Sequence, residues 1–416
     1  MRASLFRSES RFLDALFDAP NPKPSAADKA KFGQLASLYT SFSQTFAADM
    51  LDLCISEGCQ TIADPFGGMG TLGEAGRGRP INLHLGDISP FAALTGTFRT
   101  AGSEEIRDSA AFIKELSELI EAEDEKAFFS QLLSSIGAGT ETATQHVLQA
   151  PTEPEHRSTA ISIYLAALSR LRLHKAFAGS NPTWIKRSKA AADHAATRLA
   201  VEQTLDAAVV YANGLDPLHD KNRTSVRWAA LTAEAYGPAS LDAIVTSPPY
   251  PNRTDYIRHY LPASELLINA AGYDERALRL EQIGTPLIRD GDPQSVLPAS
   301  ISQLISQIRS HPSYASERYY YKGFLYYFSD MATALASMKS WLRSGGLAIL
   351  VVQDAYYKEI HIPVADLLTD LADAQGLTLV GRRDWRVRNM LSHLSPHSRR
   401  SVANRSLSES VIVFSK

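Results

Sequence analysis

The residues Thr246 to Asn252 read Thr-Ser-Pro-Pro-Tyr-Pro-Asn and directly follow an apolar run. Neither of the adjacent prolines can donate a hydrogen bond to a neighbouring strand, so one interpretation is simply a strand that ends here. The same residues can also do chemistry. The hydroxyl of Ser247 and a main-chain carbonyl held by the prolines can accept hydrogen bonds, and the ring of Tyr250 offers a flat apolar face. The motif alone leaves both interpretations open.

A second stretch, Thr61 to Gly76, reads TIADPFGGMGTLGEAG and combines a strand end, a glycine-rich turn and a helix start. Glycine lets the backbone approach a ligand closely, and a helix N-terminus offers free N–H groups. Roughly 20 residues beyond this turn, Asp87 ends a second apolar run and is followed by Ile88. An acid there predicts hydrogen bonds to ribose hydroxyls, with Ile88 on the adenine face. A cap on the following helix is the alternative role for Asp87.

Taken together, DPFGGMGT, GDISPFA and DAIVTSPPY resemble the S-adenosylmethionine (SAM)-dependent amino-methyltransferases that methylate exocyclic amines of DNA bases. In that family the glycine element binds SAM and the Pro-Pro element is catalytic. A serine before the prolines is more frequent in enzymes that act on cytosine N4. The resemblance extends to LYTSFSQTFAADML, which looks like the segment that closes over the methionine end of SAM, and to LRSGGLAILVVQDAYY and SESVIVFSK.

The resemblance implies a SAM site built from four segments of the chain. Its residues are Thr40, Ser41, Phe42, Asp64, Pro65, Phe66, Gly67, Gly70, Thr71, Asp87, Ile88, Asn213 and Asp216. The last two are substitutes. The family's third element has an acid after glycine near the adenine of SAM, whereas this chain reads YANGLDP with Leu215 after Gly214.

The resemblance assigns catalysis to Ser247, Pro248, Pro249 and Tyr250. An exocyclic amine is a poor nucleophile because its lone pair is delocalised into the ring. Ser247 Oγ and the Pro248 carbonyl would accept both N–H hydrogens and favour a more tetrahedral nitrogen, while Tyr250 would stack on a base flipped out of the duplex. Substrate contacts are expected from Asn252, Arg253, Asp255, Tyr256, Arg386, Arg388, Arg399 and Arg400. For the residues after the motif, a helix start is the alternative interpretation.

The apolar runs predict a doubly wound α/β sheet with ligands at the carboxyl ends of its strands. Strands are expected near Thr61, Leu83, Ala207, Leu241, Leu347, Leu377 and Ser410. The resemblance implies a class I SAM-dependent methyltransferase fold, which is Rossmann-like and seven-stranded, with an antiparallel strand at SVIVF. The catalytic domain would comprise residues 1–100 and 206–416, interrupted by a helical insertion at 101–205. Further expected features are a second insertion near 272–321 and a basic loop at 382–405.

Charge gives only local indications of a nucleic-acid partner. The formal net charge of the 416 residues is −3, but basic residues cluster in the loop at 382–405 and in the helical insertion. Those in the insertion are Arg170, Arg172, His174, Lys175, Lys186 and Arg187. A DNA-facing lobe and a phosphate-tracking hairpin are the functional interpretations, and solvated charged loops are the alternative. No apolar run approaches the roughly 18 residues of a membrane span, so a cytoplasmic protein without a membrane partner is expected.

The sequence therefore predicts a site-specific DNA methyltransferase with SAM as cofactor, no metal, and cytosine N4 as the favoured target. Its partner would be DNA, double-stranded and with the target base flipped out, and a cognate restriction endonuclease is compatible with the resemblance. Three alternatives stay open: a DNA adenine-N6 methyltransferase, an RNA amino-methyltransferase, and a non-catalytic regulatory subunit that binds SAM or DNA.

Overall fold

The computed structural model describes residues 14, 16, 18–26, 28, 42–176, 193–216, 223–228, 236–252, 254–291, 293, 295–387 and 407–416. Several residues singled out above lie outside these ranges: Thr40, Ser41, Lys186, Arg187, Arg253, Arg388, Arg399 and Arg400. Within the described ranges, no helix is both long enough and apolar enough to cross a membrane.

A seven-stranded mixed sheet forms the centre of the fold, with the strand order β3-β2-β1-β4-β5-β9-β8. The strands are β1 (Thr61–Asp64), β2 (Asn82–Asp87), β3 (Thr224–Trp228), β4 (Leu241–Thr246), β5 (Leu342–Gln353), β8 (Thr378–Arg386) and β9 (Ser408–Ser415), and a separate hairpin consists of β6 (Ala355–Tyr357) and β7 (Ile360–Ile362). Strand β9 is antiparallel to β5 and β8, whereas β3, β2, β1, β4 and β5 pair in parallel. The strand order reverses between β1 and β4, so their carboxyl ends lie side by side, where ligands of open α/β sheets bind.

Helices cover both faces of this sheet. In chain order they are α1 (Gln44–Ser56), α2 (Thr71–Ala75), α3 (Pro90–Thr100), α4 (Ser103–Leu119), α5 (Glu125–Leu133), α6 (Glu141–Gln149), α7 (Pro154–Ala176), α8 (His194–Asn213), α9 (Tyr256–His259), α10 (Leu261–Ala270), α11 (Glu275–Glu281), α12 (Ala299–Ser310), α13 (Tyr321–Trp341) and α14 (Val364–Ala374), with π-helical turns at Ser134–Ala138 and Ser316–Tyr320.

Each face of the sheet packs its own apolar core because successive strand residues point to opposite faces. Val351 and Val413 belong to the core that contains Phe46 of α1. Their neighbours Leu350 and Ile412 belong to the core on the other face, which contains Phe328 of α13. Both faces of the central strands are therefore buried, and only their ends are available to a ligand.

Most of the predicted strands are confirmed, including the antiparallel strand at SVIVF, but the strand expected near Ala207 is wrong. Residues His194–Asn213 form α8, and β3 begins only at Thr224. The buried positions of α8 are Thr197, Ala200, Val201, Thr204, Leu205, Ala208, Tyr211 and Ala212. These positions repeat every three to four residues, which is the period of a helix and not of a strand. The run DAAVVYA hid this period because nearly all of its residues are apolar or small.

The helical insertion extends to Asn213 and packs directly on the sheet's own helices. The ring of Tyr164 in α7 lies 5.6 Å from Phe91 and 4.8 Å from Phe98, both in α3. The second insertion is similarly integrated, because Ile301 of α12 is buried in the core around α13. Both stretches therefore contribute to the central cores.

Two of the basic residues expected to face DNA from the helical insertion are buried instead. Arg170 Nε lies 2.9 Å from Glu125 Oε2, and His174 Nε2 lies 3.5 Å from Glu125 Oε1. All three side chains have less than a tenth of their surface exposed. The expectation of a DNA-facing role is wrong for Arg170 and His174, since an arginine and a histidine at helical spacing neutralise a buried acid.

Of the basic loop expected at 382–405, residues up to Arg386 belong to strand β8, and residues 388–405 lie outside the described ranges. Arg382 pairs with Asp366 and Asp384. Arg383 donates to the carbonyls of Leu16 and Ala19 and lies over the ring of Trp385. These two arginines hold neighbouring parts of the fold together.

Candidate functional site

The carboxyl ends of β1, β2 and β4 bring together the three motifs found in the sequence. Asp64 ends β1, Asp87 ends β2, and Ser247 follows the last residue of β4. Parallel pairing of β1 with both β2 and β4 puts these ends on one edge of the sheet. We call this edge, from Asp64 to Glu409 at the start of β9, the carboxyl edge.

Asp64 connects the first and the third of these motifs. Its carboxyl Oδ1 accepts a 2.6 Å hydrogen bond from Thr246 Oγ1 and a 3.1 Å bond from the Phe66 amide. Only 1% of the residue is exposed. Burial raises the pKa of Asp64 to about 7, and the charge of Asp87 adds to the rise. Asp64 therefore positions the end of β4 relative to the glycine turn, and has almost no surface left for a ligand.

The glycine turn is held by main-chain bonds and by a buried ion pair beneath it. The amide of Gly67 donates to Gly86 O at 2.8 Å, and the amide of Gly68 donates to Asp87 Oδ2 at 2.9 Å. Below the turn, Arg99 pairs with Glu74 and donates to the Met69 carbonyl at 2.8 Å. The turn is thus fixed before any ligand arrives.

Gly70 meets a second requirement, which is close packing between two helices. It has a φ of +72°, and a Cβ added there would lie 2.5 Å from Gly96 Cα of α3. Real Cβ atoms do not approach backbone that closely, so no other residue fits. Thr71, the next residue, is buried and accepts a bond from Arg99, so it contributes to the support beneath the turn.

Asp87 has the position expected of a ligand-binding acid, and the alternative role as helix cap belongs to its neighbour. Ser89 is the N-cap of α3 and its hydroxyl accepts from Ala92 N, while Asp87 Oδ1 accepts from Ser89 N at 2.8 Å. Each carboxylate oxygen retains a further lone pair for a ligand hydroxyl. Burial raises the pKa of Asp87 to about 6. Ile88 is half-buried beside it, and its carbonyl accepts from Trp228 Nε1 at 2.6 Å.

The Ser-Pro-Pro-Tyr residues are fixed by bonds from three directions. Ser247 Oγ donates to the Val351 carbonyl of β5 at 3.1 Å and lies 3.3 Å from the Tyr250 hydroxyl. The Tyr327 hydroxyl donates to Pro249 O at 3.1 Å. The Tyr250 amide donates to the hydroxyl of Tyr256 at 3.3 Å. Since the only hydrogen of the Ser247 hydroxyl goes to Val351, its remaining role toward a ligand is that of an acceptor.

Tyr256 lies between the two halves of the site. Burial raises the pKa of its hydroxyl to about 12, and the charge of Asp87 adds to the rise. The same hydroxyl receives the amide of Tyr250. Burial also raises the pKa of Tyr250, followed by the charge of Glu409. The hydroxyls of Tyr256 and Tyr250 thus respond to the acids at the two ends of the edge, Asp87 at the end of β2 and Glu409 at the start of β9.

For Asp255 the helix-start interpretation is confirmed. Its Oδ1 accepts from Arg258 N at 3.1 Å as the N-cap of α9, and its Oδ2 accepts from Arg279 Nε at 2.8 Å. Asn252 is exposed and accepts from the Thr254 hydroxyl. Asp255 therefore supports the start of helix α9, where Tyr256 lies.

Other predicted residues are not brought into contact with the motifs. Asn213, at the end of α8, accepts a 3.2 Å bond from Arg107 of α4, and Asp216 is exposed. Helix α3 begins at the carboxyl edge and ends near the opposite edge of the sheet. Helix α4 follows that end of α3. Phe42 is buried against Phe46 with its ring 6.0 Å away. Arg386 is exposed at the end of β8, on the same edge as Ser247.

Glu409 is a functional candidate that the motifs did not reveal. It lies second in β9, opposite Gln353 of β5 and Trp385 of β8. Only 6% of the residue is exposed, and burial raises its pKa to about 7. Among the described residues, the cation paired with it is Lys23, whose Nζ lies 3.8 Å from Oε2. Its sequence signal is an acidic residue two positions before the apolar run Val411 to Phe414, in a strand that is buried on both faces.

At one end of the carboxyl edge, hydrogen-bond acceptors lie beside the tight glycine turn. This arrangement suits a nucleoside-like cofactor. Asp87 can take ribose hydroxyls, and Gln44 Oε1, at the first turn of α1, is buried with no donor among the described residues. An amide oxygen of this kind suits an ammonium group. The residues present therefore fit SAM, which carries a ribose and an ammonium.

Comparisons of the chain with protein-family models, with curated proteins and with solved structures find no match.

Proposed function

We propose that the protein is a SAM-dependent methyltransferase acting on the exocyclic amine of a DNA base, with cytosine N4 as the favoured target. The observation that carries the proposal is the position of Ser247. Its hydroxyl gives its hydrogen to the Val351 carbonyl, so it faces a substrate as an acceptor. It does so at the strand end beside the turn that fits the cofactor.

The sheet supports the fold part of the proposal. A parallel sheet in the order β3-β2-β1-β4-β5, followed by the antiparallel β9 before β8, agrees with what the resemblance implies for the class I SAM-dependent methyltransferases. In such sheets the cofactor lies across the carboxyl ends near the point where strand order reverses. Here that point is between β1 and β4.

The residues of the chain divide the work of binding. Asp87 accepts the ribose hydroxyls, Ile88 packs on the adenine, and Gln44 Oε1 accepts from the ammonium group. SAM, when bound, supplies a sulfonium methyl group that is open to attack. Asp64 and Arg99 contribute indirectly, because they hold the turn and the end of β4 in place. Rigid support of this kind aligns reactants without further ordering during the reaction.

Activation of the amine depends on two acceptors. Ser247 Oγ and the Pro248 carbonyl take the two N–H hydrogens and direct the nitrogen lone pair toward the methyl group. Bound SAM would give up its methyl group to this nitrogen and keep the electron pair of the carbon–sulfur bond, and the amine would release one proton to solvent. The bond from Tyr327 to Pro249 keeps the acceptors fixed.

An aromatic ring at Tyr250 supports a flat base as the substrate. Stacking on an aromatic side chain contributes roughly 1–3 kcal/mol per base. The base must leave the duplex to reach an amine-binding site at a sheet edge. Exposed Arg386, on the same edge, is suited to a nearby phosphate.

The test is methylation of duplex DNA of mixed sequence with isotopically labelled SAM, followed by mass spectrometry of the nucleosides. We expect labelled N4-methylcytosine, and we expect Ser247→Ala to lower turnover by roughly 100- to 1000-fold while SAM binding is retained. Ser340→Ala is the matched control, since that exposed hydroxyl bonds only within α13 at the far end of β5.

If N6-methyladenine is the only labelled product, the target is adenine N6 and not cytosine N4. If only RNA is labelled, the substrate is RNA and not DNA. Undiminished turnover in Ser247→Ala would overturn the assignment of the serine. A protein that binds SAM but labels neither DNA nor RNA would instead be the non-catalytic binder.

A further inference from the structure

Glu409 combines deep burial with an unsatisfied oxygen. Its Oε2 receives no hydrogen bond from any described residue. The ammonium of Lys23, at 3.8 Å, is beyond hydrogen-bond length although close enough to attract the charge. A buried polar atom without a partner is costly, so it is usually retained where a ligand completes it.

Strand pairing places Glu409 beside the catalytic motif. Val411 lies opposite Val351, whose carbonyl receives the hydroxyl of Ser247. Glu409 lies two residues closer to the carboxyl edge on the same face of β9 as Val411. Its charge acts directly on the Tyr250 hydroxyl, which is 3.3 Å from Ser247 Oγ. The carboxyl of Glu409 thus lies at the same end of the sheet as Ser247 and Tyr250 and interacts with the Tyr250 hydroxyl.

A purely structural role would look different in this protein. Glu74 is held by Arg99 through a bond from Nε at 2.6 Å, and Glu125 is held by Arg170 at 2.9 Å. Both pairs are as buried as Glu409. Glu409 alone among these three lacks an arginine, although Arg383 lies on the neighbouring strand and donates to main-chain carbonyls instead.

Resting on the function proposed above, we propose that Glu409 binds the ring nitrogen next to the target amine, which is N3 in cytosine. That nitrogen is an acceptor in a neutral base, so the carboxyl must donate to it through its own proton. Ser247 and Pro248 would hold the amine, Tyr250 the ring face, and Glu409 the adjacent edge atom. Glu409 is then a residue that selects the base, because thymine presents an N–H at the same position.

Four groups on neighbouring elements lie around this carboxyl. They are Lys23 from the N-terminal segment, Tyr250 from the motif, Gln353 from β5 and Trp385 from β8. Lys23 favours the ionised form, and burial outweighs it, which leaves the pKa of Glu409 raised to about 7. The neutral donor form is therefore populated up to about that pH.

The test compares wild type, Glu409→Ala and Glu409→Gln on DNA that carries cytosine or 3-deazacytosine at the target site. For wild type we expect roughly a 10- to 100-fold lower kcat/KM on the deaza base, since a buried donor is left unpaired. Glu409→Ala should show a loss of similar size on cytosine and no further loss on the deaza base. Equal discrimination by wild type and Glu409→Ala would overturn the proposal.

The pH profile separates base contact from mere support. Wild-type kcat/KM should fall above about pH 7 as Glu409 ionises, whereas Glu409→Gln, whose amide always donates, should lack this limb. Asp64 has a pKa of about 7 as well, and it is checked with Asp64→Asn, which should keep the limb. A limb that persists in Glu409→Gln would contradict the proposal.

Lys23→Met distinguishes the base contact from the ion pair. Removing the ammonium should move the limb to higher pH and leave the rate below it intact. Loss of activity equal to that of Glu409→Ala would mean that the pair, and not the base contact, matters. If wild type methylates no amine in any nucleic acid, the proposed function fails; if it does and the deaza discrimination is absent, only the role of Glu409 fails.

Discussion

The helical region and the carboxyl edge of the sheet each bury a glutamate, and the pKa values of the two carboxyl groups are shifted in opposite directions. Glu125 in α5 is 7% exposed and Glu409 in β9 is 6% exposed. Burial tends to raise both pKa values, but bonds from His174 and Arg170 bring that of Glu125 down to about 2. Lys23 at 3.8 Å does much less for Glu409, whose pKa stays raised to about 7.

The same contrast extends to the other acids at the carboxyl edge. Among the described residues, Asp64 and Asp87 accept hydrogen bonds from uncharged donors, and burial raises their pKa values to about 7 and about 6. Arg170 and His174 thus compensate the charge of Glu125 within the helical region, whereas Asp87 and Glu409 at the edge keep acceptor atoms that a ligand can complete. Stability is expected to depend on the first region and binding on the second.

The largest effect should come from breaking the buried pair in the helical region. Arg170→Met leaves Glu125 with His174 alone and should lower the free energy of unfolding by about 3–5 kcal/mol, measured by urea denaturation. Adding Glu125→Gln should restore part of the loss, since it removes the more deeply buried of the two carboxylates that Arg170 contacts. A loss below about 1 kcal/mol would show that this region does not depend on the pair.

A pH titration of stability should reveal the acids at the edge. Asp64 has an unfolded pKa near 3.8 and a folded pKa of about 7, so the folded protein holds more protons between these values. Its contribution is fully present at low pH and is lost as the pH rises toward 7, by on the order of 1–4 kcal/mol. Asp64→Asn should flatten this slope in denaturation curves from pH 4 to 7. An unchanged slope would contradict it.

Asp87→Ala should weaken SAM binding while stability changes little. Loss of hydrogen bonds to a charged acceptor corresponds to roughly a 10- to 100-fold higher dissociation constant, measurable by calorimetry. Asp52→Ala, which removes an exposed acid paired with Arg79, serves as the control and should bind normally. If both variants bind SAM like wild type, Asp87 has no ligand role.

The smallest effect should come from loosening the motif at one bond. Tyr327→Phe removes the bond to Pro249 O and should lower stability by about 1 kcal/mol and turnover by roughly 3- to 10-fold. The neighbour Tyr326 bonds to the carbonyl of Arg289 instead, so Tyr326→Phe should lose similar stability without the turnover effect. Equal turnover in the two variants would show that Tyr327 does not help to position the motif.

Much of the sheet could be predicted because fully buried strands read as apolar runs between turn residues. Strand β3, TSVRW, was missed because it is short and only Val226, Trp228 and Thr224 point inward. Helix α8 was mistaken for a strand near Ala207 because small and apolar residues cover both of its faces there. Periodicity is informative only where polar residues mark the exposed side.

The candidate site was predicted in part. The residues that were missed contact partners far away in the sequence. Asp64, Asp87 and Ser247 follow strand ends, so a parallel sheet alone brings them to one edge. Thr246, Tyr327 and Glu409 act through partners 78 to 182 residues away or across strands, and no local pattern carries such contacts. Asn213 was assigned by analogy to a third element, and it contacts Arg107 instead.

The close approach of Gly70 to Gly96 bears on how this chain would change if its activity were lost. Any side chain at Gly70 would collide with the backbone of α3, so folding alone would preserve that glycine in an inactive descendant. Ser247 has no such protection, because only its hydroxyl is used and alanine would fit the same space. Under the function proposed above, the serine and not the glycine turn would therefore distinguish, among related chains, methyltransferases from proteins that only bind the cofactor.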